Sequence, residues 1–159
     1  RYVSFIISMW GQGQGQGFNQ GLTWSQTFGG NGGGPAEFAG PNYSLIAARG
    51  KGGGSIDSVQ FLFFFVTTGQ CVETPRWGGL GGGDWAFQAP PGQWIDKIYV
   101  ISNNLVNALT FETNMGVRSA KFGGTNGQQG QLVATGKRIS GVRVRCGTLI
   151  DQISFCTAL

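Results

Sequence analysis

One plan occurs three times in this chain, and it limits the possible folds more than any other feature. Each copy has an aromatic residue and two glycines, a Gly-rich loop, an apolar strand, a tight turn and a second apolar strand. The first copy runs from Phe28-Gly29-Gly30 through Ala47-Ala48-Arg49 to Ser55-Ile56-Asp57-Ser58-Val59-Gln60-Phe61. The second runs from Trp77-Gly78-Gly79 through Ile98-Tyr99-Val100 to Leu105-Val106-Asn107-Ala108-Leu109-Thr110-Phe111, and the third from Phe122-Gly123-Gly124 through Val142-Arg143-Val144 to Leu149-Ile150-Asp151-Gln152-Ile153-Ser154-Phe155. The aromatic starts lie 49 and 45 residues apart, and Asp57, Asn107 and Asp151 lie 50 and 44 apart. A unit of this length cannot bury its apolar face alone, so three of them must bury their faces against one another.

The units are β rather than helical. Apolar residues at i, i+3, i+4 and i+7 are almost everywhere broken by Gly, whereas short β-branched and aromatic runs bounded by Gly, Pro and Asn recur throughout. Candidate strands cover 44–48, 58–67, 94–102, 106–112, 138–145 and 151–156. The expected architecture is all-β, a three-sided prism with pseudo-threefold internal symmetry.

Composition narrows the function. Thirty of the 159 residues are Gly, but there is no Gly-X-Y period, and 12 Phe, 5 Trp and 3 Tyr are too many for a disordered chain. A chain of this length buries roughly 70 % of its unfolded surface, enough for one core. The absence of His removes the usual general base, the Ser-His and Cys-His pairs and most Zn and Cu sites. Eleven Lys and Arg against seven Asp and Glu include no basic run, so nucleic acid is not the expected partner. A glycosidase needs two carboxylates ~5–10 Å apart, and each candidate loop carries only one. No enzyme, cofactor or metal is therefore expected.

Residues 1–27 lie outside the repeats. Gly11 to Gly17 is a Gly/Gln low-complexity linker, and Tyr2 to Trp10 is apolar enough to add an edge strand or touch a partner, with packing on its own domain the commoner outcome. No run reaches the ~20 apolar residues of a transmembrane helix. An initial Arg in place of Met, followed by a short apolar stretch, fits processing and secretion.

Three stretches resemble the jacalin-related lectins, and the match covers nearly all of 28–159. Phe28-Gly29-Gly30-Asn31-Gly32-Gly33 is similar to the family's opening loop. Val106-Asn107-Ala108-Leu109-Thr110-Phe111-Glu112-Thr113-Asn114 resembles its Leu-Thr-Phe-x-Thr-Asn strand end, and 141–155 its C-terminal hairpin with a Gly-x-x-x-Asp loop. The resemblance implies a β-prism I of three Greek-key-like sheets that binds sugars at one end without metal.

The loop chemistry agrees. A pair of sugar hydroxyls needs a carboxylate to accept two O–H bonds and backbone N–H groups close by, which Gly permits. Site 1 is expected at Gly147, Thr148, Leu149 and Asp151, with the Thr148 and Leu149 amides donating and Gly29 and Gly30 closing the pocket as the resemblance implies. Site 2 is expected at Gly53, Ser55, Ile56 and Asp57, completed under the threefold rotation by Gly78 and Gly79. The plain alternative is a hairpin turn with a capping Asp. In the third copy, Asn103-Asn104-Leu105-Val106-Asn107 has lost both Gly and Asp while Gly123-Gly124 persists, so site 3 is expected to be empty or weak. An internal rather than free Gly29 to Gly34 fits the family's mannose/glucose branch. Trp77, Trp85 and Phe122 are candidates for stacking on sugar, or for core.

Lys137, Arg138, Arg143 and Arg145 form a candidate basic stripe. Arg143 and Arg145 alternate with Val142 and Val144, which turns them to solvent, and the stripe would hold anionic glycans or simply keep an edge soluble. Three cysteines allow at most one bridge. The topology that the resemblance implies makes Cys71–Cys156 conceivable and leaves Cys146 over. Asn42-Tyr43-Ser44 is an N-glycosylation sequon. The leading expectation is a secreted, multivalent lectin, homodimeric or higher; the alternative is a matrix or granule protein binding sulfated glycans through the stripe.

Overall fold

A computed structural model describes residues 21–134 and 136–158. The expectations for Tyr2 to Trp10 and for the Gly/Gln linker lie outside the described residues.

The described chain is all-β, in three sheets. An apolar hairpin lies at the centre of each: β4 (Tyr43–Gly52) with β5 (Ile56–Phe65), β9 (Ile95–Ser102) with β10 (Val106–Thr113), and β13 (Ile139–Cys146) with β14 (Ile150–Ala158). These six strands correspond to the six expected from sequence, with ends moved by a few residues. The hairpins alternate inward and outward as a half-buried sheet must. Phe61, Phe63, Phe111, Phe155, Leu45, Leu109, Ile98, Ile139 and Ile153 point into a common core and are fully buried.

Three further strands widen the sheets: β3 (Gly34–Ala39) on β13, β8 (Gly83–Gln88) on β4, and β12 (Gln128–Val133) on β9. These edge strands are missing from the sequence expectation, because Pro35, glycines and glutamines dominate where a central strand would carry β-branched residues. Two-residue strands β2 (Phe28–Gly29), β7 (Trp77–Gly78) and β11 (Phe122–Gly123) hold the aromatic-Gly pairs against β14, β5 and β10. β1 (Leu22–Trp24) pairs with β14 and β6 (Cys71–Glu73) with β5. Residues 22–24, read from sequence as extension, thus join a prism wall.

The aromatic-Gly-Gly turn that opens each copy does not join that copy's own hairpin. It docks on the preceding one, and for the first copy the preceding hairpin is the last in the chain, so β1, β2 and β3 complete the sheet of β13 and β14. This exchange brings residues more than 100 positions apart into one site.

The cysteine expectation is corrected. Cys71 is exposed on β6 at the edge of one sheet, whereas Cys156 is buried in β14 of another, and all three thiols are free.

Candidate functional site

Each hairpin carries one extra residue beside its turn. Lys51 faces Ser58 and Gly52 faces Ile56, which leaves Asp57 unpaired; Arg145 faces Gln152 and Cys146 faces Ile150, which leaves Asp151 unpaired; Asn107 is skipped in the same way. A bulge of this kind re-aims a side chain out of the alternation. The three candidate polar residues are therefore turned out of the pleat by the same irregularity, and the sequence spacing alone does not show it.

The turns themselves are alike. The Gly147 N–H donates to the Leu149 carbonyl (3.0 Å), Gly53 to Ser55 (2.9 Å) and Asn103 to Leu105 (3.0 Å). Gly147 and Gly53 keep φ outside the left-handed region, and a Cβ on either would meet nothing. What they contribute is open space above the loop. Positive φ is used instead at Gly29 (117°) and Gly78 (114°), where the chain must turn closely over the Asp151 and Asp57 carbonyls.

At site 1 the Gly30 N–H donates to the Asp151 carbonyl (2.8 Å), and residues 31–33 pass over the carboxylate so closely that a Cβ on Gly32 would lie 2.5 Å from Oδ2. At site 2 Gly79 donates to the Asp57 carbonyl (2.8 Å), and Gly81 and Gly82 lie against both carboxylate oxygens. The expected closing pairs are thus beside the expected carboxylates. Among the described residues no donor occupies either carboxylate, and the Thr148 and Leu149 amides at site 1 and the Gly54 and Ser55 amides at site 2 have no partner. Each site presents an anionic acceptor beside free N–H donors, which suits a vicinal pair of hydroxyls.

Site 3 is closed from within. Asn103 Oδ1 accepts the Leu105 N–H (3.1 Å), the counterpart of the free Leu149 amide. Asn107 Oδ1 accepts the Ser55 hydroxyl (2.8 Å), its Nδ2 donates to the Asn126 carbonyl (2.7 Å), and the residue is 3 % exposed. Of the groups that a ligand would need there, the side chain at 107 and the Leu105 N–H are already bonded, and only the Asn104 N–H has no partner among the described residues.

Several expected contacts fall elsewhere. The Ser55 hydroxyl serves site 3's closure, and Ile56 is fully buried in the core, so its side chain cannot reach a ligand. Trp77 and Trp85 are each 8 % exposed and belong to the core, and half-buried Phe122 packs against it, stacked on Trp85 with centroids 4.8 Å apart and planes at 16°. The basic stripe is not a free cationic surface. Arg143 pairs with Glu37 (2.7 Å) and lies over the Trp24 ring, and Arg145 is spent on backbone carbonyls of residues 31–33. Arg138 stacks on Trp94 and donates to Ser44 Oγ (3.0 Å). Lys137 and Arg138 precede β13, whose far end carries Arg145, so seven residues at ~3.3 Å each put them roughly 23 Å from the loops. In the sequon, Asn42 is exposed in a turn and Ser44 is buried.

Two features were not anticipated. Gly30, Gly79 and Gly124 each pack against the turn of a different hairpin, at Asn104, Thr148 and Gly54, with no room for a Cβ. The three loop pairs therefore interlock in a ring, and Gly79 of site 2 touches the turn of site 1. Cys146 lies beside site 1, where burial and then the Asp151 carboxylate push its thiol pKa up. Among the described residues no group of His, Cys, Asp or Glu could hold a metal ion, and no helix is long and apolar enough to cross a membrane.

A family model described as a jacalin-like lectin domain matches residues 25–156. The chain is 32 % identical over 84 residues, 52 % of its length, to a mannose/glucose-specific lectin of Parkia pendula. That match spans only 18 % of the Parkia protein, and the same holds for the Parkia platycephala lectin, at 30 % identity. Among solved structures, the mannose-binding jacalin-related lectin from Ananas comosus superimposes with a TM-score of 0.77 at 26 % identity, covering 87 % of this chain and 99 % of that one. Malaysian banana lectin gives 0.74 at 25 % identity, covering 86 % and 98 %.

Proposed function

The chain belongs to the jacalin-like lectin domain family, and from that premise we propose that it binds mannose/glucose-type glycans at two loops, with no metal. Asp151 with the Thr148 and Leu149 amides forms one site, and Asp57 with the Gly54 and Ser55 amides the other. The observation that carries this reading is the contrast among the three turns. Two leave a carboxylate and two adjacent N–H groups without partners, while the third has an amide side chain in place of the carboxylate and has already bonded that side chain and the Leu105 N–H. Mannose/glucose specificity is taken from the relatives.

Two sites on one chain make binding multivalent. Single sugar sites bind weakly, and linking two raises avidity by ~10²–10⁴ where the geometry allows both to engage. Assembly into homodimers would extend this, and secretion would place the protein among glycans.

Calorimetric titration with methyl α-mannoside in EDTA tests the reading. Saturable binding near two sites per chain is expected, reduced to one by Asp57→Ala or Asp151→Ala. A silent titration with mannose and glucose, in a folded protein, overturns it.

A further inference from the structure

The two open sites differ in how the segment crossing each carboxylate is held. At site 1, Arg145 donates from Nε to the Asn31 and Gly32 carbonyls (3.2 and 3.1 Å) and from Nη2 to the Gly33 carbonyl (2.7 Å). Gln152 Nε2 donates to the Gly30 carbonyl (2.9 Å) and to Asn31 Oδ1 (3.3 Å). Two side chains flanking the bulged Asp151 thus fasten every residue from 30 to 33. A guanidinium suits the task because its fork presents several donors in a fixed plane.

The register identifies the counterparts at site 2. Arg145 stands one residue before the Cys146–Gly34 pair, as Lys51 stands one before Gly52–Gly83, and Gln152 faces Gly29 as Ser58 faces Gly78. Neither counterpart fastens anything there. Lys51 Nζ pairs with Asp84 (3.0 Å), and Ser58 Oγ accepts from the Lys51 N–H and from Arg76 Nε. Among the described residues, 80–82 receive no side-chain hydrogen bond, and the Gly79 bond to Asp57 only matches that of Gly30 to Asp151. Leu80, in the place of Asn31, is 84 % exposed. Glycines flank Leu80 on both sides just as they flank Asn31, so the two segments have the same intrinsic backbone freedom and differ in the side-chain bonds that hold them.

We propose that Arg145, seconded by Gln152, is the positioning residue that makes site 1 the tighter of the two. It holds residues 31–33 over Asp151 before the sugar arrives, whereas site 2 must order residues 80–82 as it binds. Ordering on binding subtracts from affinity, and a segment already held in its bound form avoids that loss. The inference rests on the reading that both Asp loops bind mannose/glucose-type glycans.

The test uses the full chain with one site left intact, Asp57→Ala for site 1 and Asp151→Ala for site 2, titrated with methyl α-mannoside. Site 1 is expected to bind about tenfold more tightly, equivalent to about 1.4 kcal/mol. Adding Arg145→Met to Asp57→Ala should bring site 1 to the level of site 2. Adding Lys51→Arg and Ser58→Gln to Asp151→Ala should tighten site 2 severalfold, a gain that a purely structural role for Arg145 does not produce. Equal affinities in the two single-site proteins, or an unchanged site 1 after Arg145→Met, overturn the proposal. If Arg145→Met fails to fold, the graft decides, and no gain overturns it. Loss of binding in both single-site proteins, each folded, overturns the reading of the sites and this inference with it.

Discussion

Replacing Gly79 by Ala separates two kinds of glycine that look alike in the sequence. A Cβ on Gly79 would run into the Thr148 carbonyl, with the Thr148 carbonyl carbon 2.9 Å and Cα 3.0 Å away. All three atoms are backbone, so no side chain can swing aside and one of two interlocked turns must move. Overpacking of this kind costs about 1–3 kcal/mol. At ~2–4 °C per kcal/mol for a domain of this size, the melting midpoint should fall by about 2–12 °C. The displaced element is Thr148, so site 1 should weaken although Gly79 belongs to the segment over site 2. Gly53→Ala and Gly147→Ala are the controls. Neither glycine has a positive φ or a neighbour that a Cβ would meet. Each should be neutral or stabilising by about 0.4–1 kcal/mol through the unfolded chain. Differential scanning calorimetry with a methyl α-mannoside titration of the Asp57→Ala form reads both effects. A Gly79→Ala protein that melts with the parent and keeps site 1 intact would refute the interlock.

Three further outcomes follow from the core and the thiols. Phe155 is fully buried with its ring edge-on to Phe61 at 6.0 Å, so Phe155→Ala should cost about 3–5 kcal/mol in denaturant unfolding. Burial pushes the Cys156 thiol up to about 12 from 9.0; because the folded state then holds its proton more tightly than the unfolded one, its contribution is complete below pH 9 and is lost as pH rises towards 12. Cys156→Ala should flatten that alkaline slope in pH-dependent unfolding, and a thiol reagent near pH 8 should modify exposed Cys71 while sparing Cys156 until the protein unfolds.

What could be read from the sequence was whatever depends on local pattern. The central hairpins announce themselves through β-branched and aromatic runs such as Ile98-Tyr99-Val100, and the decay of site 3 is visible in the change from Asp to Asn107. The edge strands are hidden because an outer strand need satisfy only one neighbour, and Gln128-Gln129-Gly130 does that with no apolar alternation. The partners of Arg145 are hidden for a related reason. Alternation along β13 says which face it leaves from, but its acceptors are carbonyls 112 to 114 positions away, which no spacing rule can reveal. The aromatic residues of the repeats were ambiguous because a ring that stacks on sugar and a ring that stacks on Phe122 have the same composition signature.

The joining of the first and last strands in one sheet sets an order of events during synthesis. The walls of site 2, Asp57 and Gly78-Gly79, leave the ribosome within a few seconds of each other at ~5–20 residues per second. Site 1 needs Gly29 and Gly30 to wait for Gln152, 122 residues later than Gly30. Until then β2 and β3 have no hairpin to dock on, and their N–H and C=O groups remain open to other chains. The hazard in making this fold therefore lies in β2 and β3, in a window that closes only when β13 and β14 emerge.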